Sequence, residues 1–228
     1  MPIKYDSVVP WGRSYREYID MFGLTDEDLN KSILGCGDGP AGFNCVMNRK
    51  NKRVISIDPI YQFTLAEIEK RINDTFDKVI EQTQKNKEKF VWTKIKSIEE
   101  LGEVRISSMK DFLKDYENGK KEGRYIFGEL QVLPFTDDQF DLALSSHFLF
   151  LYTDNLSLDF HIKSINEMLR VSTEVRIFPL VDLNACKSVY VNEVANIYQN
   201  SGYYVSEETV DYEFQIGGNK MLRIIKNK

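Results

Sequence analysis

The chain has 228 residues, of which 42% are apolar and 29% are charged, with a formal net charge of −5. This length allows one large α/β domain or two small ones, and the apolar share is enough for a full core. The negative net charge argues against a nucleic-acid partner, because nucleic-acid-binding domains usually carry a basic face.

The N-terminal stretch MPIKYDSVVPWGRS contains no apolar signal core, and no segment approaches the roughly 18 apolar residues of a membrane helix. The three cysteines, Cys36, Cys45 and Cys186, fit neither a disulfide framework nor paired metal ligands. These features predict a cytoplasmic, reduced protein with no metal site and no membrane partner.

Strand-like and helix-like segments alternate along the chain, and this order predicts a mostly parallel sheet covered by helices. The first strand, at 32–34, leads into the glycine-rich loop GCGDG. Further strands rich in β-branched and apolar residues are predicted at 53–58, 125–130, 140–145 and 174–180.

Apolar stripes at helical spacing fill most of the remaining chain. Residues 62–122 are long enough for two or more helices, which we interpret as a helical insertion within one domain spanning residues 1–228. Residues 1–30 are interpreted as an N-terminal flap. A helix near residues 158–169 places His161 on its polar side, where we expect it to be solvated.

The C-terminal region has a different pattern. Residues 210–216 alternate between apolar and polar, the turn sequence Gly-Gly-Asn follows at 217–219, and a second apolar run occupies 221–225. Alternation, a glycine turn and a second run predict an antiparallel β-hairpin.

The loop from Gly35 to Gly39 comes directly after the first strand. Glycines there permit positive φ angles and let a ligand approach the backbone. Asp58, at the end of the second strand, lies 23 residues beyond Gly35, a spacing typical of a carboxylate that accepts hydrogen bonds from a ribose. Together they predict a nucleoside-containing ligand, whereas a tight turn that only packs a helix on the sheet is the alternative.

This order of elements resembles that of the class I S-adenosylmethionine-dependent methyltransferases, from about residue 31 to the end. The most specific matches are GCGDG at 35–39 and LPF at 133–135, followed by FDL at 140–142. The resemblance implies an α/β, Rossmann-like, seven-stranded and mostly parallel sheet with a C-terminal antiparallel β-hairpin and helices on both faces. It also implies S-adenosylmethionine as cofactor.

The same resemblance assigns roles to individual residues. It implies that the glycine loop runs beside the methionine part of the cofactor and that Asp58 holds the ribose. Glu129 would accept a hydrogen bond from the adenine. Residues that end the fourth strand face the methyl-transfer centre. The implied cofactor-binding residues are Gly35, Cys36, Gly37, Asp38, Gly39, Asp58, Pro59, Glu129, Leu130 and Ser146.

His147 is the candidate catalytic base, because it lies where the fourth strand should end and an imidazole titrates near neutral pH. A half-buried histidine bonded to the backbone is the alternative. Trp11, Arg13 and Tyr15 are candidate substrate residues, since they offer aromatic surface and a planar fork for a carboxylate or phosphate.

Arg176 lies inside a central strand, where a charge requires a partner. It is predicted either to bind a substrate anion or to pair with an acid such as Asp182 or Glu193.

The resulting interpretation is an S-adenosylmethionine-dependent methyltransferase that acts on a small-molecule or peptide acceptor. Ile33 stands where the family usually has an acid near the methionine end, and this favours the alternative of an inactive methyltransferase-like module that binds a nucleoside or a protein. A nicotinamide-dependent oxidoreductase fits less well, because residues 37–40 match GxGxxG poorly.

Overall fold

The computed structural model describes residues 9–227. Its centre is a seven-stranded sheet whose strands are short and mostly buried. The strands are β1 Ile33–Cys36, β2 Val54–Ile57, β3 Tyr125–Ile126, β4 Phe140–Ser146, β5 Ser172–Phe178, β6 Tyr204–Thr209 and β7 Lys220–Ile225.

The strand order is β3-β2-β1-β4-β5-β7-β6. The pairs from β3 to β5 are parallel, whereas β7 pairs antiparallel with both β5 and β6. The predicted α/β fold, a mostly parallel sheet closed by an antiparallel hairpin, is therefore confirmed. The strand order reverses between β1 and β4, which creates a crevice at their carboxyl ends.

Six α-helices of the described chain cover the sheet, and each has an apolar face or a set of buried residues. They are α1 Tyr15–Phe22, α2 Phe43–Arg49, α3 Leu65–Lys85, α4 Ile98–Lys121, α5 Leu158–Val171 and α6 Val191–Asn200. Across residues 9–227, no helix combines the length and the apolar character that crossing a membrane requires.

The first strand of the C-terminal hairpin is β6, and the prediction that residues 210–216 form it was wrong. That segment is a loop, and its end pairs with a distant part of the chain. The Val91 amide donates to the Phe214 carbonyl at 2.7 Å, and the Ile216 amide donates to the Lys89 carbonyl at 3.0 Å. The alternation of apolar and polar residues therefore reflects a half-buried loop.

The third strand is shorter than expected. Only Tyr125–Ile126 pairs with β2, whereas residues 127–130 leave the sheet. An isolated bridge between Glu129 and Val132 turns the chain back at that point. This departure brings the 128–130 segment to the crevice.

Two long helices, α3 and α4, fill most of the predicted insertion at 62–122. They share a buried aromatic cluster with the edge of the sheet, in which Tyr61, Phe112 and Tyr116 all contact the Tyr125 ring. The insertion therefore packs through the same core as β3.

The predicted N-terminal flap is a flap over only part of its length. Residues 1–8 lie outside the described residues. Residues 15–22 form α1, whose Tyr18, Met21 and Phe22 are fully buried against the sheet and α2. Because this spacing places all three side chains on one helical face, α1 is a core element.

Arg176 forms a buried ion-pair network and does not line the central cavity. Its guanidinium contacts the Asp28 carboxylate at 3.1 Å and the Glu174 carboxylate at 2.6 Å, and it also donates to the Phe22 carbonyl. The alternative that Arg176 pairs with an acid is therefore confirmed, but its partners are Asp28 and Glu174 and not the suggested Asp182 or Glu193.

Asp28 is held ionised in this network. Burial by itself raises the pKa of its carboxyl, but hydrogen bonds from Lys31 and the Thr25 amide, together with Arg176, bring it well below its ordinary value. Removing one charge from a buried ion pair leaves the other unbalanced in a poorly solvated place.

We expect Asp28→Asn to lower the free energy of unfolding by about 2–4 kcal/mol, because Arg176 then keeps only part of its counter-charge. Denaturant unfolding measures this change. Asp159→Asn is the matched control, since Asp159 pairs with Lys163 on an exposed helix face and such pairs contribute about 0.5 kcal/mol. Equal losses in both variants would contradict the interpretation.

Candidate functional site

A cavity of about 770 Å³ opens at the carboxyl ends of β1, β2 and β4. Its volume lies within the range of small-molecule sites, and its position is where open α/β sheets bind ligands. The loop after β1, the ends of β2 and β4, the 128–130 segment and α3 contribute its walls. Trp11 and Arg13 line it from the N-terminal side.

Bare backbone forms one wall of this cavity. Gly37 and Gly39 line it, and both have positive φ angles, 69° and 54°. A Cβ atom on Gly37 would lie 3.1 Å from the Phe148 ring. The Gly37 amide donates to the Ile57 carbonyl at 2.9 Å, which ties the loop to β2. A side chain at Gly37 would therefore cost both backbone strain and space.

Gly35 and Cys36 lie beneath this wall and do not line the cavity. A Cβ atom on Gly35 would lie 1.8 Å from the Asp38 carboxylate, so glycine is required there to accommodate that side chain. Cys36 is fully buried in β1, and burial raises the pKa of its thiol. The expectation that both residues contact a cofactor does not agree with these positions.

Asp38 reaches under the loop to two neighbouring elements. Its carboxylate accepts from the Tyr18 hydroxyl at 2.8 Å and from the Ser56 hydroxyl at 2.6 Å. Burial raises the pKa of this carboxyl to about 6, against the effect of both hydrogen bonds. Asp38 therefore joins the loop to α1 and β2. The sequence analysis did not identify Tyr18 as a site residue, because its contact with Asp38 joins elements that are separate in the chain.

Asp58 ends β2 and lines the cavity beside the loop. Its two carboxylate oxygens accept from the Gly39 amide at 2.8 Å and the Ile60 amide at 2.7 Å. Burial raises the pKa of the carboxyl to about 6 despite these bonds. Each oxygen has a second lone pair, so Asp58 can still accept from a ligand.

Four further residues that were predicted to bind a cofactor line the same cavity: Pro59, Glu129, Leu130 and Ser146. Glu129 is exposed at the rim, and Ser146 is buried at the end of β4. All four therefore share the cavity with Asp58, and their roles as cofactor-binding residues remain predictions.

His147 follows β4 and faces the cavity in a left-handed backbone conformation, with φ of 52°. Its Nδ1 lies 2.9 Å from the Ser146 hydroxyl oxygen, and its Nε2 has no hydrogen-bond partner among residues 9–227. Burial lowers the pKa of the imidazole well below its ordinary value, and the charges of Arg13 and Arg105 add to this effect. The ring is therefore neutral at neutral pH, with one nitrogen available.

The predicted substrate residues separate into two groups. Trp11 and Arg13 line the cavity, and the Trp11 ring packs against Phe76 at 5.4 Å. Tyr15 does not line it, because its ring stacks on Phe43 of α2 and lies beneath the Lys50 ammonium. Tyr15 thus anchors α1 to α2, and its predicted contact with substrate was wrong.

A buried charge cluster lies next to Arg13. Arg105 pairs with the Glu17 carboxylate at 2.6 Å, and the Tyr212 hydroxyl donates to the same carboxylate at 2.8 Å. Burial alone would raise the pKa of the Glu17 carboxyl, but the Arg105 charge lowers that pKa to about 2. Within residues 9–227, the Arg13 guanidinium donates only to the Trp11 carbonyl, and its buried Nε has no partner.

The far wall of the cavity is apolar and comes from separate segments of the chain. It includes Phe90, Leu101, Leu183 and Phe214. The backbone bonds between 89–91 and 214–216 hold two of these side chains in place. No local pattern links these positions, so the sequence alone did not indicate this wall.

His161 lies outside the cavity, and its predicted exposure was wrong. It is fully buried, its ring stacks on Phe150 at 5.3 Å, and its Nδ1 lies 2.8 Å from the Ser157 carbonyl oxygen. A lone polar residue in a helical pattern predicts an exposed side chain. The His161 ring is covered instead by the ring of Tyr190, the residue that precedes α6.

The fold is shared with known structures. The PH0226 protein of Pyrococcus horikoshii OT3 superposes with a TM-score of 0.50 at 12% identity, covering 93% of this chain and 91% of that chain. The methyltransferase domain of the bacterial protein CtHen1-CN gives a TM-score of 0.50 at 9% identity, covering 88% of this chain and 93% of that chain. At such identities the likeness concerns the fold alone.

No family model matches the sequence. A protein of Methanocaldococcus jannaschii that bears the name Uncharacterized protein MJ0045 is 35% identical over 216 residues, which are 93% of this chain and 94% of that protein. The chain therefore belongs to the same family as MJ0045, and its fold is that of the class I S-adenosylmethionine-dependent methyltransferases.

Proposed function

We propose that this protein is a methyltransferase that transfers the methyl group of S-adenosylmethionine to a small-molecule or peptide acceptor. The observation that carries this proposal is the Asp58 carboxylate, which stands beside the bare backbone of Gly37 and Gly39 in a cavity of about 770 Å³. A carboxylate and a glycine loop at adjacent strand ends suit a ribose and the chain attached to it.

The residues present fit this cofactor. Asp58 has free lone pairs for ribose hydroxyls, and Glu129 at the rim can accept from the exocyclic amine of adenine. A Cβ atom on Gly39 would meet no other atom within 4 Å, so the space beside that backbone is open. When bound, S-adenosylmethionine supplies an electrophilic methyl group on a positively charged sulfur.

The chain itself has little chemistry to perform beyond alignment and removal of a proton. The neutral His147 ring can accept a proton from the acceptor at Nε2, while Ser146 orients the ring through Nδ1. The apolar far wall at Phe90 and Phe214 keeps water from the acceptor. His147 is therefore the proposed catalytic residue.

One observation favours a second function, that of a module that binds a nucleoside or a protein without catalysis. Ile33, at the position where the family usually has an acid, is fully buried among apolar side chains. It cannot contact the methionine end of a cofactor. Binding of the cofactor without methyl transfer to any acceptor would support this alternative.

We expect S-adenosylmethionine and S-adenosylhomocysteine, but not NAD, to raise the thermal midpoint by roughly 5–10 °C at about a hundred times their dissociation constants. Asp58→Ala should abolish the rise, because the ribose hydroxyls lose their acceptor. Asp159→Ala, at an exposed position on α5, is the control. A rise that persists unchanged in Asp58→Ala would contradict the placement of the ribose.

The affinity for S-adenosylhomocysteine should depend on pH through Asp58, whose carboxyl has a pKa of about 6. Below that pH the protonated group loses acceptor positions, so affinity falls by up to about tenfold per pH unit. In the unliganded protein the contribution of Asp58 to the free energy of unfolding has the opposite trend: it decreases as pH rises from about 4 to about 6, because this group binds more protons in the folded state than in the unfolded state. Calorimetric titration and denaturant unfolding measure the two trends.

His147→Ala should slow methyl transfer by about 10²- to 10⁴-fold, since the acceptor loses its proton acceptor in the transition state. The affinity for S-adenosylhomocysteine should stay unchanged, because the proposed cofactor contacts lie at Asp58 and the glycine loop. Transfer of labelled methyl groups to an acceptor identified by screening measures the rate. An unaltered rate would remove His147 from the catalytic machinery.

A further inference from the structure

Arg13 lies in the cavity wall as a cation without a counter-charge. Its Nη1 donates to the Trp11 carbonyl, and its Nε is buried with no hydrogen-bond partner. Among residues 9–227, no carboxylate forms an ion pair with it. Burial lowers the pKa of Arg13 and the nearby Arg105 charge adds to this effect, while the Glu17 charge acts against it.

The acids near Arg13 are already engaged. Glu17 pairs with Arg105 and accepts from Tyr212. The Asp38 carboxylate accepts from Tyr18 and Ser56. The cluster of half-buried Arg13 with buried Arg105 and Glu17 therefore holds two cations and one anion. An unbalanced charge in a poorly solvated place costs stability, so its retention points to a ligand that completes it.

We propose that Arg13 binds a carboxylate group of the molecule held in this cavity, an inference that rests on the proposed function. A guanidinium presents parallel N–H donors that match the two oxygens of a carboxylate. Arg71 also lines the cavity, but its guanidinium lies 3.8 Å from the centre of the Phe63 ring, so the Arg13 end offers one guanidinium, which balances the single charge of a carboxylate.

Tyr152 adds a second donor next to Arg13. Its hydroxyl oxygen accepts from the Val9 amide at 3.2 Å, and its own proton remains available for an anion in the cavity. The Arg13 charge acts on this phenol and on His147. Arg13, Tyr152 and His147 therefore surround one end of the cavity.

Two molecules could bring the carboxylate to this end: the methionine part of the cofactor, or the acceptor. S-Adenosylhomocysteine carries the methionine-type carboxylate, and 5′-methylthioadenosine has the same nucleoside and thioether without it. Benzoate represents an aromatic acceptor with a carboxylate, and benzamide is its uncharged counterpart.

The test is calorimetric titration of the wild-type protein, Arg13→Met and the control Arg16→Met. Arg16 is exposed on α1, pairs with Asp20 and does not line the cavity. If the cofactor provides the carboxylate, Arg13→Met lowers the affinity for S-adenosylhomocysteine about 10- to 100-fold and leaves that for 5′-methylthioadenosine unchanged. Arg16→Met should match the wild type throughout.

If the acceptor provides the carboxylate, both nucleosides bind Arg13→Met normally, and the difference appears in benzoate binding to protein saturated with S-adenosylhomocysteine. Benzoate then binds the wild type and not Arg13→Met, while benzamide binds neither. Unchanged binding of all these probes in Arg13→Met would overturn the inference and leave the proposed function standing. Failure of the wild type to bind either nucleoside would overturn both.

Thermal unfolding without ligand separates a binding role from a structural one. Arg13→Met should melt at or above the wild-type temperature, because it removes a half-buried cation whose Nε is buried without a partner among residues 9–227. Arg105→Met should melt lower, because it leaves the Glu17 carboxylate unpaired. A loss in Arg13→Met as large as that in Arg105→Met would assign Arg13 to the fold and contradict the inference.

Discussion

The buried carboxylate of Asp38 is the interaction on which the cavity depends. It bonds to Tyr18 of α1 and to Ser56 of β2, and its space exists only because Gly35 has no side chain. Asn44 of α2 donates to the same Ser56 hydroxyl. Three elements, α1, β2 and α2, therefore fix the position of the loop that forms the cavity wall. The loop backbone has its conformation without a bound ligand.

The arginines of the interior are of two kinds: those that pair with acids and stabilise the fold, and Arg13, which faces the cavity and can bind a ligand. Arg176 and Arg105 each form an ion pair with buried carboxylates, and both serve to join distant segments, although the buried Arg105 Nε has no hydrogen-bond partner in the described part of the chain. Arg13 faces the cavity and forms no ion pair with any residue that the structure describes. Sites that bind ligands commonly hold groups that destabilise the free protein, because the ligand completes their interactions.

The two ends of the cavity are built by different means. The Asp58 end is made of strand termini, whose positions follow from the parallel sheet. The opposite end is made where residues 89–91, after α3, meet residues 214–216 of the C-terminal loop. The insertion and the loop before β7 thus close the same cavity from two sides. Their apolar side chains give this end a character suited to an acceptor with apolar surface.

The sequence by itself determined the alternation of strands and helices, the position of the glycine loop and the placement of Asp58 at the next strand end. These features depend on local periodicity and on backbone freedom, both of which can be predicted from a short stretch of sequence. For the same reason His147 could be placed at the end of β4.

Only the tertiary structure decided which side chains meet. Tyr15 and Tyr18 lie one turn apart on α1 and both stack on Phe43 of α2, yet Tyr18 also bonds to Asp38 and lines the cavity, which Tyr15 does not. Arg176 pairs with Asp28, which lies 148 positions away. The segment 210–216 has the alternation of a strand but pairs with 89–91 instead of with β7. Periodicity predicts whether a side chain is buried. Which residue that side chain contacts depends on packing between elements that are far apart in the chain.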